Sequence, residues 1–204
     1  MKTALLSKRS WSALAAALAL AGSATAATVS FNPSSQTVGV GDTATVQLVV
    51  SGLGDGTSPS LGAWAVSFDY DPAVVSFSSA TFGTGLDLGI FGSLQFLDGS
   101  VSGNVLLDEV SFEDSADLNA AQPDSFVLAT INFTALAPGS SPLSLTLVDL
   151  SDELGESLDA TGQDGVIRVR DGGNGVPEGS VGVVVLAFLW AGMLGLARRP
   201  RRRA

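Results

Sequence analysis

The strongest strand signal in the chain is the stretch Leu61-Gly62-Ala63-Trp64-Ala65-Val66-Ser67-Phe68-Asp69-Tyr70-Asp71-Pro72. Large apolar side chains alternate in it with small or polar ones, and successive side chains of a β-strand point to opposite faces of a sheet. The pattern therefore predicts a buried face that carries Trp64, Val66, Phe68 and Tyr70. The opposite, outward face carries Ala65, Ser67 and Asp69. A turn should follow, because Pro72 fixes the backbone and lacks an N–H donor.

Two other segments, Thr43–Val50 and Val127–Ala135, alternate in the same way. The first places Ala44, Val46, Leu48 and Val50 on one face. The second separates Val127, Ala129, Ile131 and Phe133 from Leu128, Thr130, Asn132 and Thr134. Shorter strands are predicted at Thr28–Phe31, Val74–Phe77, Val105–Phe112, Leu143–Leu147 and Gly165–Val169, with one helical turn at Asp117–Ala121. Because clusters of Gly, Pro, Asp and Ser separate these strands, the sequence predicts an all-β, antiparallel β-sandwich.

The predicted sandwich domain, residues 27–171, is strongly acidic. All 20 acidic residues of the chain lie between Asp42 and Glu178, and the only basic residues in that span are Arg168 and Arg170. The span from Asp42 to Glu178 therefore carries about 18 net negative charges, which excludes nucleic acid and anionic lipid as partners. About 145 residues are enough for one domain with its own core.

The chain contains no cysteine and no histidine. This excludes disulfides, thiolate metal sites, and Ser-His-Asp or Cys-His catalysis. A pair of carboxylates, as in glycoside hydrolases, is the one catalytic arrangement left open. Nothing in the sequence distinguishes one such pair, so we predict no catalytic residue.

The N-terminus has the pattern of a secretory signal peptide, residues 1–26. Lys2, Lys8 and Arg9 precede an apolar stretch, Trp11–Ala21. Small residues then form a cleavage site of the Ala-x-Ala type, and cleavage after Ala26 would involve Ala24, Ala26 and Ala27.

The C-terminus has three parts in order. A Gly-rich linker with a short motif, residues 172–180, contains Val176, Pro177 and Glu178. A predicted transmembrane helix at 181–197 follows. The uncharged run Gly179–Ala197 that contains it would measure roughly 28 Å as a helix, just long enough to span a bilayer core of about 30 Å. A basic end, residues 198–204, contains Arg198, Arg199, Arg201, Arg202 and Arg203. These arginines should stay cytoplasmic, so we predict an inner-membrane anchor with the sandwich outside.

This tail resembles the PEP-CTERM sorting signal of Gram-negative bacteria, with Pro177 and Glu178 at the first two motif positions and Gly179 in place of the second proline. The resemblance implies processing by an exosortase. It further implies an inner-membrane precursor that moves to the cell surface or into an exopolysaccharide matrix. A plain C-terminal membrane anchor is the alternative.

Three segments of the sandwich resemble the cohesin domain. Val38-Gly39-Val40-Gly41-Asp42-Thr43 is similar to its opening turn, and Phe68-Asp69-Tyr70-Asp71-Pro72-Ala73-Val74-Val75 to its Tyr-Asp-Pro signature. Phe126–Phe133 with Pro138-Gly139 is similar to a late strand and turn. The resemblance covers about Thr28 to Val169 and implies a jelly-roll sandwich of nine strands. In cellulosomes such domains bind dockerins, which makes a dockerin-like or other surface protein the implied partner.

Three functions fit these observations. The first is a non-catalytic surface or matrix protein that binds a protein or carbohydrate partner. The second is a carbohydrate-binding module of the exopolysaccharide, for which Phe82, Phe91 and Phe96 are the aromatic residues without an assigned inward position. The third is a carboxylate-dependent glycoside hydrolase. No cofactor or metal site is predicted, although calcium could be held at the acidic cluster Asp149–Glu156, and Glu109, Glu113 and Asp114 are further acidic candidates.

Overall fold

The computed structural model describes residues 26–171, which form two packed β-sheets. The elements of this part of the chain, in order, are β1 (Ala27–Asn32), β2 (Ser35–Gly39), β3 (Thr43–Ser51), β4 (Leu61–Asp69), β5 (Val75–Phe82), β6 (Ser93–Asp98), β7 (Asn104–Ser111), α1 (Ser115–Ala121), β8 (Ser125–Ala135), β9 (Gly139–Asp152), β10 (Ser157–Leu158), β11 (Ala160–Gln163) and β12 (Gly165–Arg170). The prediction of an all-β sandwich is confirmed.

Sheet A has the strand order β11-β1-β3-β8-β5, and sheet B has the order β2-β12-β9-β4-β7-β6. The short strand β10 pairs with β9. The inward faces of the two sheets share one apolar core, because each sheet has one hydrophobic face to bury.

The prediction of purely antiparallel pairing is wrong at one side of the sandwich. There β1 runs parallel to β11, and β2 runs parallel to β12. The first and last segments of the domain lie side by side in the same direction, and each passes from sheet A into sheet B. The sequence analysis found one strand in each segment, since β2 and β11 are short, polar and exposed on much of their length.

The core matches the face assignments made from alternation. Trp64, Val66, Phe68 and Tyr70 are all buried, and so are Ala44, Val46, Leu48 and Val50. The ring of Phe68 meets Phe31 edge-on at 5.4 Å between centroids, and Tyr70 meets Phe133 at 5.4 Å. Contacts between the two inward faces therefore include aromatic pairs from both sheets.

Leu128 is a correction to the predicted faces of β8. Leu48 pairs with Ala129 and Val49 with Val127, so Leu128 is an extra residue in a β-bulge. The bulge turns the side chain of Leu128 inward, where it is 1% exposed, while Val127 is only half-buried.

Strand β9 is much longer than the predicted segment Leu143–Leu147. Its register with β4 skips Thr146, and this second bulge shifts the alternation. Leu147 is therefore exposed on the outward side, whereas Leu150 is buried. The first half of the acidic cluster, Asp149 to Asp152, belongs to this strand.

The two ends of the described chain lie at opposite ends of the sandwich. Ala27 begins β1 beside Asp159, to whose carbonyl its N–H donates at 2.8 Å. Arg170 ends β12 beside Gly39 and accepts a hydrogen bond from Val40 N–H at 3.1 Å. The predicted signal peptide up to Thr25, the linker and motif, the membrane helix and the basic end lie outside the described residues. No helix within residues 26–171 is long and apolar enough to cross a membrane.

Candidate functional site

Large apolar side chains that face solvent are concentrated in one part of the domain. Eight of the twelve in the described chain lie within residues 90–112: Ile90, Phe91, Leu94, Phe96, Leu97, Val101, Val110 and Phe112. The three phenylalanines among them are 60%, 53% and 57% exposed in chain order. A concentration of exposed apolar side chains of this kind marks an interaction surface, because a monomer gains nothing by leaving it in water.

Strand register gathers several of these side chains on the outward side of sheet B. We call the outward side of β6, β7, β4 and β9 the docking face. Leu94 pairs with Val110, and Phe96 pairs with Asp108, across β6 and β7. Phe112 directly follows β7, and its N–H donates to the carbonyl of Gly92 at 2.9 Å. The edge of the docking face is therefore an apolar ridge.

The middle of the docking face is a shallow acidic trough. Ala65 on β4 pairs with Asp108 on one side and with Asp149 on the other. Because Ala63 and Ala65 are small, they leave a cavity of about 110 Å³ between the flanking strands. The docking face thus combines an apolar ridge with carboxylates and has no basic side chain on these four strands.

The loop before β6 is organised around the carboxylate of Glu113. Its Oε1 accepts hydrogen bonds from the N–H groups of Leu88 (3.1 Å), Ile90 (3.1 Å) and Gly92 (3.2 Å), and its Oε2 accepts one from Phe91 (3.1 Å). Burial acts to raise the pKa of Glu113, but the four backbone donors outweigh it and hold the pKa below its ordinary value.

A second acid, Glu109, lies beneath the ridge with only 1% of its surface exposed. Its Oε1 accepts hydrogen bonds from Ser93 Oγ (2.7 Å) and Gln95 Nε2 (2.9 Å), and its Oε2 accepts one from Trp64 Nε1 (3.2 Å). Three strands of sheet B therefore meet at one buried carboxylate, which is satisfied by neutral donors.

Two acidic residues of the candidate calcium cluster, Asp152 and Glu153, are engaged in hydrogen bonds within the chain. Oδ1 of Asp152 accepts hydrogen bonds from the N–H groups of Leu154 and Glu156, both at 2.9 Å, and so closes the turn after β9. The carboxylate of Glu153 binds Ser60 N–H (3.0 Å) and Asn119 Nδ2 (3.1 Å). Within residues 26–171 no three acidic side chains come together in an arrangement that could hold a metal ion.

A larger cavity, of about 450 Å³, opens beside the loop at 83–88 and the start of β8. The amide of Gln122 in its wall is buried and fully used. It accepts a hydrogen bond from Leu61 N–H (2.6 Å) and donates to the carbonyls of Leu61 (2.7 Å) and Gly85 (3.0 Å). This wall is therefore structural and offers little to orient a ligand.

The structure describes few of the site residues predicted from the sequence, and their predicted roles stay predictions. Val176, Pro177, Glu178 and the five terminal arginines lie outside the described residues, as does Ala24. Ala26 is exposed and Ala27 is buried at the start of β1, so the predicted cleavage point adjoins the folded domain. Of the three unassigned phenylalanines, Phe91 and Phe96 are exposed, whereas Phe82 packs on Trp64 at 5.7 Å.

The sequence analysis missed the docking face and the roles of the two buried glutamates. One signal was available, since alternation along Val105–Phe112 places Val110 and Phe112 outward with Leu106. The pairing of that strand with β6 was not visible, because β6 was not predicted.

No protein-family model matches the chain, and no curated protein matches it. Solved structures do resemble it. The sixth cohesin of Acetivibrio cellulolyticus scaffoldin B, in complex with a dockerin mutant, superposes with a TM-score of 0.58 at 13% identity, over 72% of this chain and all of that one (100%). The non-cellulosomal cohesin of Archaeoglobus fulgidus gives a TM-score of 0.54 at 18% identity, over 72% of this chain and 93% of that one.

The domain has a cohesin-like fold. CaCohA2 of Clostridium acetobutylicum, whose solution structure matches at 17% identity with a TM-score of 0.54, covers a similar share, 72% of this chain and 92% of that one. The likeness spans the two-sheet sandwich described above. It supports the fold predicted from the three cohesin-like segments, and at these identities it shows the fold alone.

Proposed function

We propose that this chain is a non-catalytic exported binding protein whose cohesin-like domain holds a protein partner on its docking face. The observation that carries the proposal is the concentration of exposed apolar side chains on and beside β6 and β7. An apolar ridge beside a shallow trough is better suited to bind another protein than to bind a small substrate, which needs a deeper pocket. The described residues also lack histidine and cysteine, which excludes Ser-His-Asp and Cys-His catalysis there.

The charge of the domain narrows the chemistry of the partner. There is no basic residue between Arg9 and Arg168, so the partner must supply the positive charge of any ion pair with the docking face. We expect a partner that places lysine or arginine near Asp108 and Asp149 and apolar side chains on the ridge. Solved cohesins of this fold are found in complexes with dockerins, and a dockerin-like module or another surface protein is the partner class we propose.

The sequences at the two termini direct the export and the sorting of the chain. The signal peptide directs the chain across the inner membrane, and the PEP-CTERM-type tail holds it there until an exosortase releases it to the cell surface or the exopolysaccharide matrix. The described geometry supports this arrangement, because Arg170 ends β12 at the end of the sandwich opposite the loop at Ile90 and Phe91. A tail leaving that end would point the apolar loop away from the membrane.

Site-directed photocrosslinking in the native cells tests the docking face. A photoreactive phenylalanine at position 96 should crosslink to a protein, whereas one at position 81, an exposed threonine on sheet A, should not. Mass spectrometry of the crosslinked peptide identifies the partner, and the purified partner should then bind the full chain. Equal crosslinking from both positions, or none from position 96, would contradict the proposal.

A carbohydrate partner is the second candidate, and the three exposed phenylalanines favour it. Phe91, Phe96 and Phe112 could stack on sugar rings of an exopolysaccharide. Affinity of the full chain for polysaccharide purified from the host, lost in Phe96→Ala, would select this candidate over a protein partner.

A further inference from the structure

The segment between the sandwich core and β7 contributes nothing to that core. We call residues 87–103 the flap; it comprises the loop before β6, β6 itself and the turn after it. None of these seventeen residues is buried, although Leu86 just before them is 1% exposed. The flap instead turns Ile90, Phe91, Leu94 and Phe96 toward solvent. Burial of large apolar side chains therefore contributes little to fixing its position.

Hydrogen bonds to two buried carboxylates hold the flap in place. Glu113 accepts them from four backbone N–H groups of the loop, and Glu109 accepts them from the side chains of Ser93 and Gln95. The backbone ladder between β6 and β7 adds to these contacts, and the carbonyls of Gly92 and Gly103 accept hydrogen bonds from Phe112 N–H and Tyr70 N–H, both at 2.9 Å. Since β6 is an edge strand, it has such a ladder on one side only.

The loop is shaped to receive an anion. Gly89 and Gly92 both have positive φ, 81° in each case, which turns successive N–H groups toward one point. The anion at that point is the carboxylate of Glu113, which lies two residues after the end of β7. The arrangement is a carboxylate cradle closed by the chain itself.

We propose that Glu113 is the positioning residue of the docking face: its carboxylate fills the cradle of residues 88–92 and so holds the flap in the conformation that a partner binds. Without that carboxylate, four N–H groups that point inward lose their acceptor, and the loop gains nothing by staying closed. The flap then opens while the sandwich beneath it stays folded. The consequence for partner binding rests on the proposed function, whereas the closure of the flap does not.

Amide hydrogen exchange of the full-length protein, resolved by residue with NMR, tests the closure. In Glu113→Ala we expect the amides of Leu88, Ile90, Phe91 and Gly92 to exchange about tenfold faster or more, with those of β4 unchanged. Glu156→Ala is the matched control, because Glu156 is exposed and its carboxylate has no recorded hydrogen bond. It should leave the flap amides as in the wild type.

Chemical rescue separates a carboxylate cradle from ordinary packing. Formate added to Glu113→Ala should restore slow exchange of the four amides, and formamide at the same concentration and ionic strength should not. If Glu113→Ala fails to fold, the exchange of the same amides in Glu113→Gln is the test. Its carbonyl oxygen replaces Oε1 while its amide group faces Phe91 N–H, so Phe91 should exchange faster than Leu88. Unchanged flap amides in the variant that folds, or equal rescue by formamide, would overturn the proposal.

The binding arm uses the photoreactive group at position 96 in a Glu113→Ala background. We expect the crosslink to the partner to fall severalfold, with formate restoring it. If the docking face does not bind a partner, there is no crosslink even in the wild-type background. If Glu113 does not position the flap for binding, the crosslink is undiminished in the variant. The two proposals therefore fail in different ways.

Discussion

Glu109 and Glu113 are buried, and within residues 26–171 each accepts hydrogen bonds from neutral donors alone. A buried polar group is costly unless hydrogen bonds replace the water that it has lost. Glu109 is bound to side chains of β4 and β6, and Glu113 is bound to the backbone of one loop. The sequence analysis treated both as candidate calcium ligands, because the donors come from segments whose register cannot be derived from composition or alternation.

Trp64 connects this polar cluster with the core. Trp64→Ala in the full chain should lower the free energy of unfolding by about 3–5 kcal/mol, because it leaves a large cavity and removes a donor from Glu109. Urea unfolding measures the loss. Phe96→Ala, at an exposed position, is the control and should change stability by about 0.5 kcal/mol or less. A loss below about 1 kcal/mol for Trp64→Ala would mean that its side chain does not pack in the core.

The lowered pKa of Glu113 predicts how its contribution varies with pH. Its folded pKa lies below the ordinary value of about 4.3, so the stability it adds is fully present above that value and is lost as pH falls through the folded pKa. The stability difference between wild type and Glu113→Gln should be constant from neutral pH down to about 5. It should shrink below about 4.3. A difference that grows with acidity would show that the folded pKa is raised, not lowered.

At the scale of elements, alternation identified the long strands correctly and failed where a strand contains a bulge. The faces of β3, and of β4 from Trp64 onward, follow directly from their sequences, because the buried side chains there alternate without interruption. In β8 and β9 an extra residue, Leu128 or Thr146, reverses the alternation, and the sequence does not mark it. The exposed edge strand β6 was missed for another reason, since Leu94, Phe96 and Leu97 do not alternate.

The bulge in β9 makes a matched pair of leucines available as a test. Leu150→Ala should cost about 2–5 kcal/mol of stability, because the side chain is buried. Leu147→Ala, three residues earlier and 44% exposed, should cost less than about 1 kcal/mol. Thermal or urea unfolding compares them, and similar costs would show that the register of β9 with β4 is wrong beyond Thr146.

On the scale of the whole molecule, the two ends of the sandwich differ in their chemistry. The only basic residues of the sandwich, Arg168 and Arg170, lie on β12 near the C-terminal end of the described chain, and the apolar loop at Ile90 and Phe91 lies at the other end of the sandwich. Neither the position of that loop nor the docking face could be derived from the sequence, because both depend on which strands are neighbours. The signals at the two termini need no such information, since each is a local pattern.

The tail makes a prediction of its own. If an exosortase recognises Pro177 and Glu178, the mature protein should end near Pro177 and lack the apolar segment at 181–197. Mass spectrometry of the mature C-terminus should show this truncation in the wild type. The truncation should be absent in Glu178→Ala and in a strain without the exosortase. An intact Arg203-Ala204 end in the wild type would instead leave a permanently anchored sandwich.

The most direct test of the docking face is the molar mass of the native assembly. The full chain, isolated without crosslinker, should elute with its partner when mass is measured by light scattering after gel filtration. Phe96→Asp should elute alone, because it places a charge on the apolar ridge, whereas Thr81→Asp on sheet A should keep the partner. A partner retained by Phe96→Asp, or lost equally from Thr81→Asp, would contradict binding at the docking face.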